Sequence, residues 1–273
     1  MTIKTRDNVN LYTKQWGEGR PVILIHGWPL SSDTWDDVGI ALAESGFRAI
    51  AYDRRGFGRS DQPYAGYDYE TFADDLADVL EESGARDATL VGFSMGGGEV
   101  ARYMHRYEGR RVAQTALISS IVPYMLRTPD NPDGVDGGVF EEMTAQIKED
   151  RAKFFKVFFD DFFGRTALSS PVSSDVKQWA WNLAMQAGLK ATLDAAQAFA
   201  TTDFRAELSA FRVPTLVVHG TEDKIVPINA TSRVVAEKVK NVQVREYDGA
   251  PHGLFASHKQ QLIADLISFL SKA

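Results

Sequence analysis

The chain has 273 residues, 44% hydrophobic and 25% charged, with a formal net charge of −7 and no cysteine. Disulfides, thiolate catalysis and cysteine metal sites are therefore excluded, and nothing resembles the basic footprint of a nucleic-acid or anionic-membrane binder. No apolar run approaches membrane-spanning length and residues 1–10 carry no apolar leader core, so a reducing cytoplasm is the expected setting.

In chain order, the first strand is predicted over residues 9–16 and the second over 22–26, followed by His26-Gly-Trp-Pro. A third strand, 49–53, precedes a helix over 70–82 whose apolar Phe72, Leu76, Val79 and Leu80 share one face. The run 88–93 is short, apolar and β-branched, as a buried strand requires. It enters a proline-free helical stretch over 95–106. A fifth strand is predicted over 115–119.

The rhythm then breaks. Residues 123–211 offer no good strand, only a Pro/Gly/Asp-rich loop (128–138) and helical stretches dense in aromatics, including Phe154, Phe158, Phe162, Trp179 and Trp181. Such an excursion reads as a cap over the carboxyl ends of the strands, where α/β sheets bind ligands. The core would then comprise residues 1–122 and 212–273. Strands over 215–219 and 242–247 follow. The last helix opens with Ser257 and Gln260 at capping-box spacing and is expected to bury Leu262, Ile263, Leu266, Ile267 and Leu270. Strands alternating with helices predict an α/β fold with a mostly parallel sheet covered on both faces.

Between the fourth strand and its helix lies Gly92-Phe-Ser-Met-Gly96. Glycines flanking a serine by two let a strand turn sharply into a helix with the serine strained at the apex, so Ser94 is a candidate nucleophile. A serine needs a base. His26 and His219 end predicted strands, His105 lies mid-helix, and His258 sits in the first turn of the last helix. Only His252 occupies an irregular loop after a late strand, with Gly249, Pro251 and Gly253 around it. The acid that orients it is expected to be Asp223, just after the strand over 215–219, with Glu222 and Asp248 as rivals. Asp248 beside Gly249 is better read as a turn residue. The order Ser94, Asp223, His252 is that of the α/β-hydrolase arrangement and not of trypsin or subtilisin. The backbone N–H groups of Met95 and Trp28 are the expected oxyanion donors, with Gly27 permitting close approach and Pro29 holding Trp28 extended. On this view Pro29 also sets the Trp28 carbonyl beside the acyl carbon, as an acceptor for an incoming nucleophile.

The stretches Asp53-Arg-Arg-Gly-Phe-Gly-Arg-Ser-Asp-Gln-Pro, Val91-Gly-Phe-Ser-Met-Gly-Gly-Gly and His219-Gly…Asp223…Ile225-Val-Pro resemble the α/β-hydrolases. The resemblance is strongest to the cofactor-free haloperoxidases and the arylesterases and γ-lactamases grouped with them. It implies an α/β-hydrolase fold and a metal-free, cofactor-free serine esterase of small acyl and aryl esters. It also implies perhydrolase side activity, in which hydrogen peroxide intercepts the acyl-enzyme to give a peracid. It carries the triad onto Ser94, Asp223 and His252 and the oxyanion donors onto Trp28 and Met95. It suggests Phe158, Phe162 and Phe199 as acyl-pocket walls and favours a homo-oligomer. Haloalkane dehalogenases and epoxide hydrolases also resemble the chain but place an aspartate where Ser94 stands. Lactam, thioester and carbon–carbon bond hydrolases share the scaffold, because specificity resides in the cap. A receptor-like binding protein is the remaining class; such proteins often lack a triad member, and here all three are present.

Overall fold

The computed structural model describes residues 1–166 and 168–272. Its elements run β1 (Thr2–Lys4), β2 (Asn10–Trp16), β3 (Arg20–Ile25), α1 (Asp36–Glu44), β4 (Phe47–Tyr52), α2 (Tyr69–Glu82), β5 (Ala88–Phe93), α3 (Met95–Arg106) and β6 (Val112–Ile118). There follow α4 (Gly137–Phe162), α5 (Ser174–Gln186), α6 (Leu189–Thr201), β7 (Thr215–Gly220), α7 (Ser232–Lys238), β8 (Val242–Tyr247), α8 (Leu254–Ser257) and α9 (Lys259–Leu270). The strands form one sheet in the order β1-β2-β4-β3-β5-β6-β7-β8. β1 and β2 are antiparallel additions at one edge, and the other strands are parallel.

Helices on both faces explain the strand sequences. β5 and β7 are buried at every position, so they read as continuous apolar runs without alternation. Pairing places Ile25 beside Gly92 and Phe93 beside Ile118. The carboxyl ends of β3, β5 and β6 therefore finish on a common edge, and the loops leaving that edge carry the candidate site.

Some boundaries differ from expectation. β3, β4 and β6 each begin two or three residues early, because Arg20 pairs with Phe47 and Val112 with Ala88 at the amino-terminal edge. Neighbouring strands there extend a ladder that side-chain pattern does not signal. β1 has only three residues and exists through its pairing with β2. The capping box expected at Ser257 and Gln260 is absent. Ser257 ends α8 with its hydroxyl donating to the Gly253 carbonyl (3.1 Å), and His258 (φ −128°) separates α8 from α9. Leu262, Leu266 and Leu270 are buried as expected, whereas Ile263 and Ile267 lie half-buried on the helix flank.

Between β6 and β7 the described residues form α4 to α6 and a short 3-10 turn over Arg205–Ala210. α4 breaks at Asp150 (φ −153°, ψ 86°), whose carboxylate accepts the Lys153 N–H at 2.9 Å and so caps the second half. Before the break only Ile147 is buried. After it, Phe155, Phe159 and Phe162 are. Among the described residues no helix is long and apolar enough to cross a membrane.

Candidate active site

Ser94 stands alone between β5 and α3 with φ +54° and ψ −120°, a left-handed conformation that costs an L-residue energy. Two glycines make room for it. A Cβ on Gly92 would lie 2.5 Å from the Gly96 carbonyl oxygen, and one on Gly96 would lie 2.6 Å from that of Ile25. The Ser94 N–H donates to the Ile118 carbonyl of β6 (2.8 Å), anchoring the turn to the neighbouring strand. The result is a hydroxyl raised above the carboxyl edge of the sheet.

The loops after β7 and β8 meet that hydroxyl. The Glu222 N–H donates to the Ala250 carbonyl at 3.1 Å, and the Gly253 N–H to the Phe162 carbonyl at 2.9 Å, which fixes the loop around His252 from both sides. His252 Nε2 lies 2.9 Å from Ser94 Oγ, and its Nδ1 donates to Asp223 Oδ2 at 2.7 Å. Asp223 Oδ1 accepts the N–H groups of Ile225 and Val226, each at 2.9 Å. His219 Nε2 also approaches Oδ2, at 3.1 Å, and donates to the Val226 carbonyl at 3.0 Å. The Asp223 carboxylate is fully buried. Burial opposes its ionisation, but the charge of His252 and the hydrogen bonds from His219 and His252 outweigh it and hold the carboxyl well below the ordinary carboxylate range. The rivals Glu222 and Asp248 are exposed, as is His105.

Trp28 lines the same cavity as Ser94, and Met95 follows Ser94 in the chain. A Cβ on Gly27 would sit 2.9 Å from Ser94 Cβ, so only glycine lets the loop after β3 lie against the serine. The Leu30 N–H closes a turn onto the Gly27 carbonyl at 3.0 Å, with a cis peptide between Trp28 and Pro29 at its centre. Neither the Trp28 N–H nor the Met95 N–H finds an acceptor among the described residues. The Trp28 indole N–H is anchored to the Thr192 carbonyl of α6 at 3.0 Å.

A cavity of about 360 Å³ opens over Ser94 and His252. Its interior is apolar, walled by Trp28, Phe154, Phe158, Phe199, Met125 and Val226 among others. Glu142, Gln146, Asp161 and Lys224 are the charged and amide groups on it. Among the described residues, no group of three or more His, Asp or Glu side chains is placed to hold a metal ion.

Residues 20–259 match the family model described as the alpha/beta hydrolase fold. A non-heme chloroperoxidase of Kitasatospora aureofaciens is 42% identical over 98% of both chains, and a bifunctional esterase/perhydrolase of Acinetobacter calcoaceticus is 40% identical over 98% of both. The chain belongs to the α/β-hydrolase family. Within that family it falls among the haloperoxidase-type enzymes. The crystal structure of a bromoperoxidase from Bacillus anthracis superposes with a TM-score of 0.95 at 40% identity, covering 99% of each chain.

In this α/β-hydrolase, Phe158 and Phe199 line the cavity, whereas Phe162 does not. Its ring packs edge-on against the His252 imidazole (4.9 Å) and against Phe93 (6.1 Å). Phe162 thus lies between the last residue of β5 and the imidazole, while Phe158, one turn earlier, faces the cavity. Pro29 is buried inside its turn and is not part of the cavity wall. Its expected role is through the Trp28 carbonyl, and Trp28 does line the cavity. His219, which the sequence places at the end of a strand, lies 3.1 Å from Asp223 Oδ2. Its place four residues before the acid was the only signal, and strand-end histidines share that position for many reasons.

Proposed function

We propose that this α/β-hydrolase is a serine esterase of small acyl and aryl esters that uses Ser94, His252 and Asp223 and needs no metal or cofactor. The observation that carries the reading is the continuous line from Ser94 Oγ through His252 (2.9 Å) to Asp223 (2.7 Å), opening into an apolar cavity. In the first half-reaction Ser94 Oγ attacks the ester carbonyl while His252 Nε2 takes its proton. The tetrahedral oxyanion faces the Trp28 and Met95 N–H groups, and the C–O bond breaks as His252 returns the proton to the leaving alcohol. Water, deprotonated by the same imidazole, then releases the acid. Hydrogen peroxide in its place would release a peracid. The relatives named esterase/perhydrolase and non-heme chloroperoxidase support both outcomes. The segment 123–211, which supplies Phe158 and Phe199, is read as the cap that limits acyl length.

The test is labelling and replacement of Ser94. A fluorophosphonate should modify Ser94 alone, and Ser94→Ala should fold normally while kcat for p-nitrophenyl acetate falls by about 10⁴-fold or more. Label on another residue, or a near-normal rate in the variant, would overturn the proposal. Acetate, butyrate and octanoate esters, a γ-lactam and an ester with added peroxide, run side by side, separate the esterase reading from other acyl hydrolases.

A further inference from the structure

Beneath the site lies a buried polar chain that the mechanism above leaves unused. His26, Arg54 and Glu99 are all buried. His26 Nε2 accepts the Arg54 backbone N–H at 2.9 Å, which leaves the ring proton on Nδ1, where it is donated to the Gly27 carbonyl at 3.0 Å. The opposite tautomer would set N–H against N–H and a lone pair against a carbonyl oxygen. Arg54 Nε donates to Glu99 Oε2 (2.8 Å), Arg54 Nη2 donates to the His26 carbonyl (2.9 Å), and the Tyr52 hydroxyl donates to the other Glu99 oxygen. Burial and the Arg54 charge push the His26 imidazole down to about 3, so the ring stays a neutral acceptor at the pH of ester hydrolysis.

The Gly27 carbonyl and the Trp28 N–H belong to one trans peptide unit. In such a unit C=O and N–H point to opposite sides of a rigid plane, so whatever holds the oxygen also aims the N–H. The Gly27 oxygen is held by His26 Nδ1–H and by the Leu30 N–H. Glu99 sits on α3 one turn beyond Met95, whose N–H is the other donor. Arg54 thus ties His26, which holds the peptide carrying one donor, to the helix that carries the other. Net stability is a weak account of a fully buried arginine–glutamate pair, since such pairs are often replaceable by apolar groups without loss.

We propose that His26, held in place by Arg54 and Glu99, is the positioning residue that aims the Trp28 N–H at the oxyanion. The inference rests on the serine-esterase reading of the site. Two near-isosteres separate its two hydrogen bonds. In His26→Asn the amide nitrogen reaches the place of Nδ1 and still donates to Gly27. In His26→Gln the amide reaches the place of Nε2, meets Arg54 and leaves the Gly27 carbonyl without its side-chain donor.

At equal folded fraction by circular dichroism, His26→Gln should lose at least about tenfold in kcat for p-nitrophenyl acetate with KM unchanged. That is a part of the loss that follows deletion of an oxyanion donor. Its affinity for phenylboronic acid, whose tetrahedral adduct mimics the oxyanion, should fall by a similar factor. His26→Asn should recover most of both. Equal rates in the two variants, or losses that track only the folded fraction, would overturn the proposal. Side-chain ¹⁵N spectra of the wild-type protein need no variant to fold: a proton on Nδ1 is expected, and one on Nε2 refutes the geometry. If the fluorophosphonate fails to label Ser94 in wild type, the esterase reading fails first. Labelled wild type with equal variants sinks the positioning role alone.

Discussion

Replacing Asp223 by asparagine changes one atom and should disable the site. The carboxylate accepts three hydrogen bonds, Oδ1 from the Ile225 and Val226 N–H groups and Oδ2 from His252 Nδ1, while His219 Nε2 lies 3.1 Å from Oδ2 with its proton on the Val226 carbonyl. An amide has one oxygen and one donor NH₂, so either orientation fails. With nitrogen at the Oδ1 place, two buried backbone N–H groups face a donor. With nitrogen at the Oδ2 place, the His252 Nδ1–H does, and His252 is driven to the tautomer with its proton on Nε2. That tautomer cannot take the Ser94 proton. The second orientation leaves the backbone pair satisfied, and His252 can adapt by moving its proton, so it should prevail. A wrong tautomer in a triad costs roughly 10⁴-fold in kcat, equivalent to about 5 kcal/mol of barrier. The assay is kcat and KM for p-nitrophenyl acetate on protein whose thermal unfolding is compared with wild type. The expected result is a loss of 10³- to 10⁴-fold in kcat with a folded protein. A variant within tenfold of wild type would refute the argument that Asp223 orients His252.

Three further outcomes follow from the same geometry. Gly92→Ala places a methyl 2.5 Å from a backbone carbonyl that neither β5 nor α3 can withdraw, and should cost more than about 2 kcal/mol in urea unfolding, whereas Gly137→Ala, with its nearest atom at 3.6 Å, should cost little. Equal effects would mean that the elbow has slack. Phe199→Ala removes a cavity wall that packs on Trp28 at 5.5 Å, and should raise octanoate over acetate ester kcat/KM by about tenfold; an unchanged chain-length profile would place the limit on acyl length elsewhere. Because His26 is lowered to about 3, the folded chain binds fewer protons than the unfolded one between that value and the free-histidine value of 6.5. Stability should therefore fall as pH drops through this window, by at most about 5 kcal/mol from this group. Urea unfolding of His26→Asn from pH 7 to pH 4 should show a shallower acid limb than wild type, and parallel limbs would contradict the assignment.

Much of this protein is written locally. The continuous apolar runs of β5 and β7 announce strands buried on both faces, because a parallel sheet covered by helices leaves no side for polar residues. Gly92 and Gly96 flank Ser94 because a five-residue turn must be made within five residues, so the elbow is legible wherever the chain is read. His252 and Asp223 could be named because each follows a strand, and strand ends share an edge. Tertiary structure decided the rest. β1 is a strand only because β2 lies beside it. Phe158 and Phe162 are one helical turn apart and equivalent in sequence. One faces the cavity and the other packs between the imidazole and Phe93 at the end of β5. His219, Arg54 and Glu99 take their roles from partners distant in the chain or across a loop, through hydrogen bonds that no periodicity encodes. Spacing along a chain specifies which face of an element a residue occupies, but what that face meets is set by the packing of whole elements, which depends on every other contact in the core.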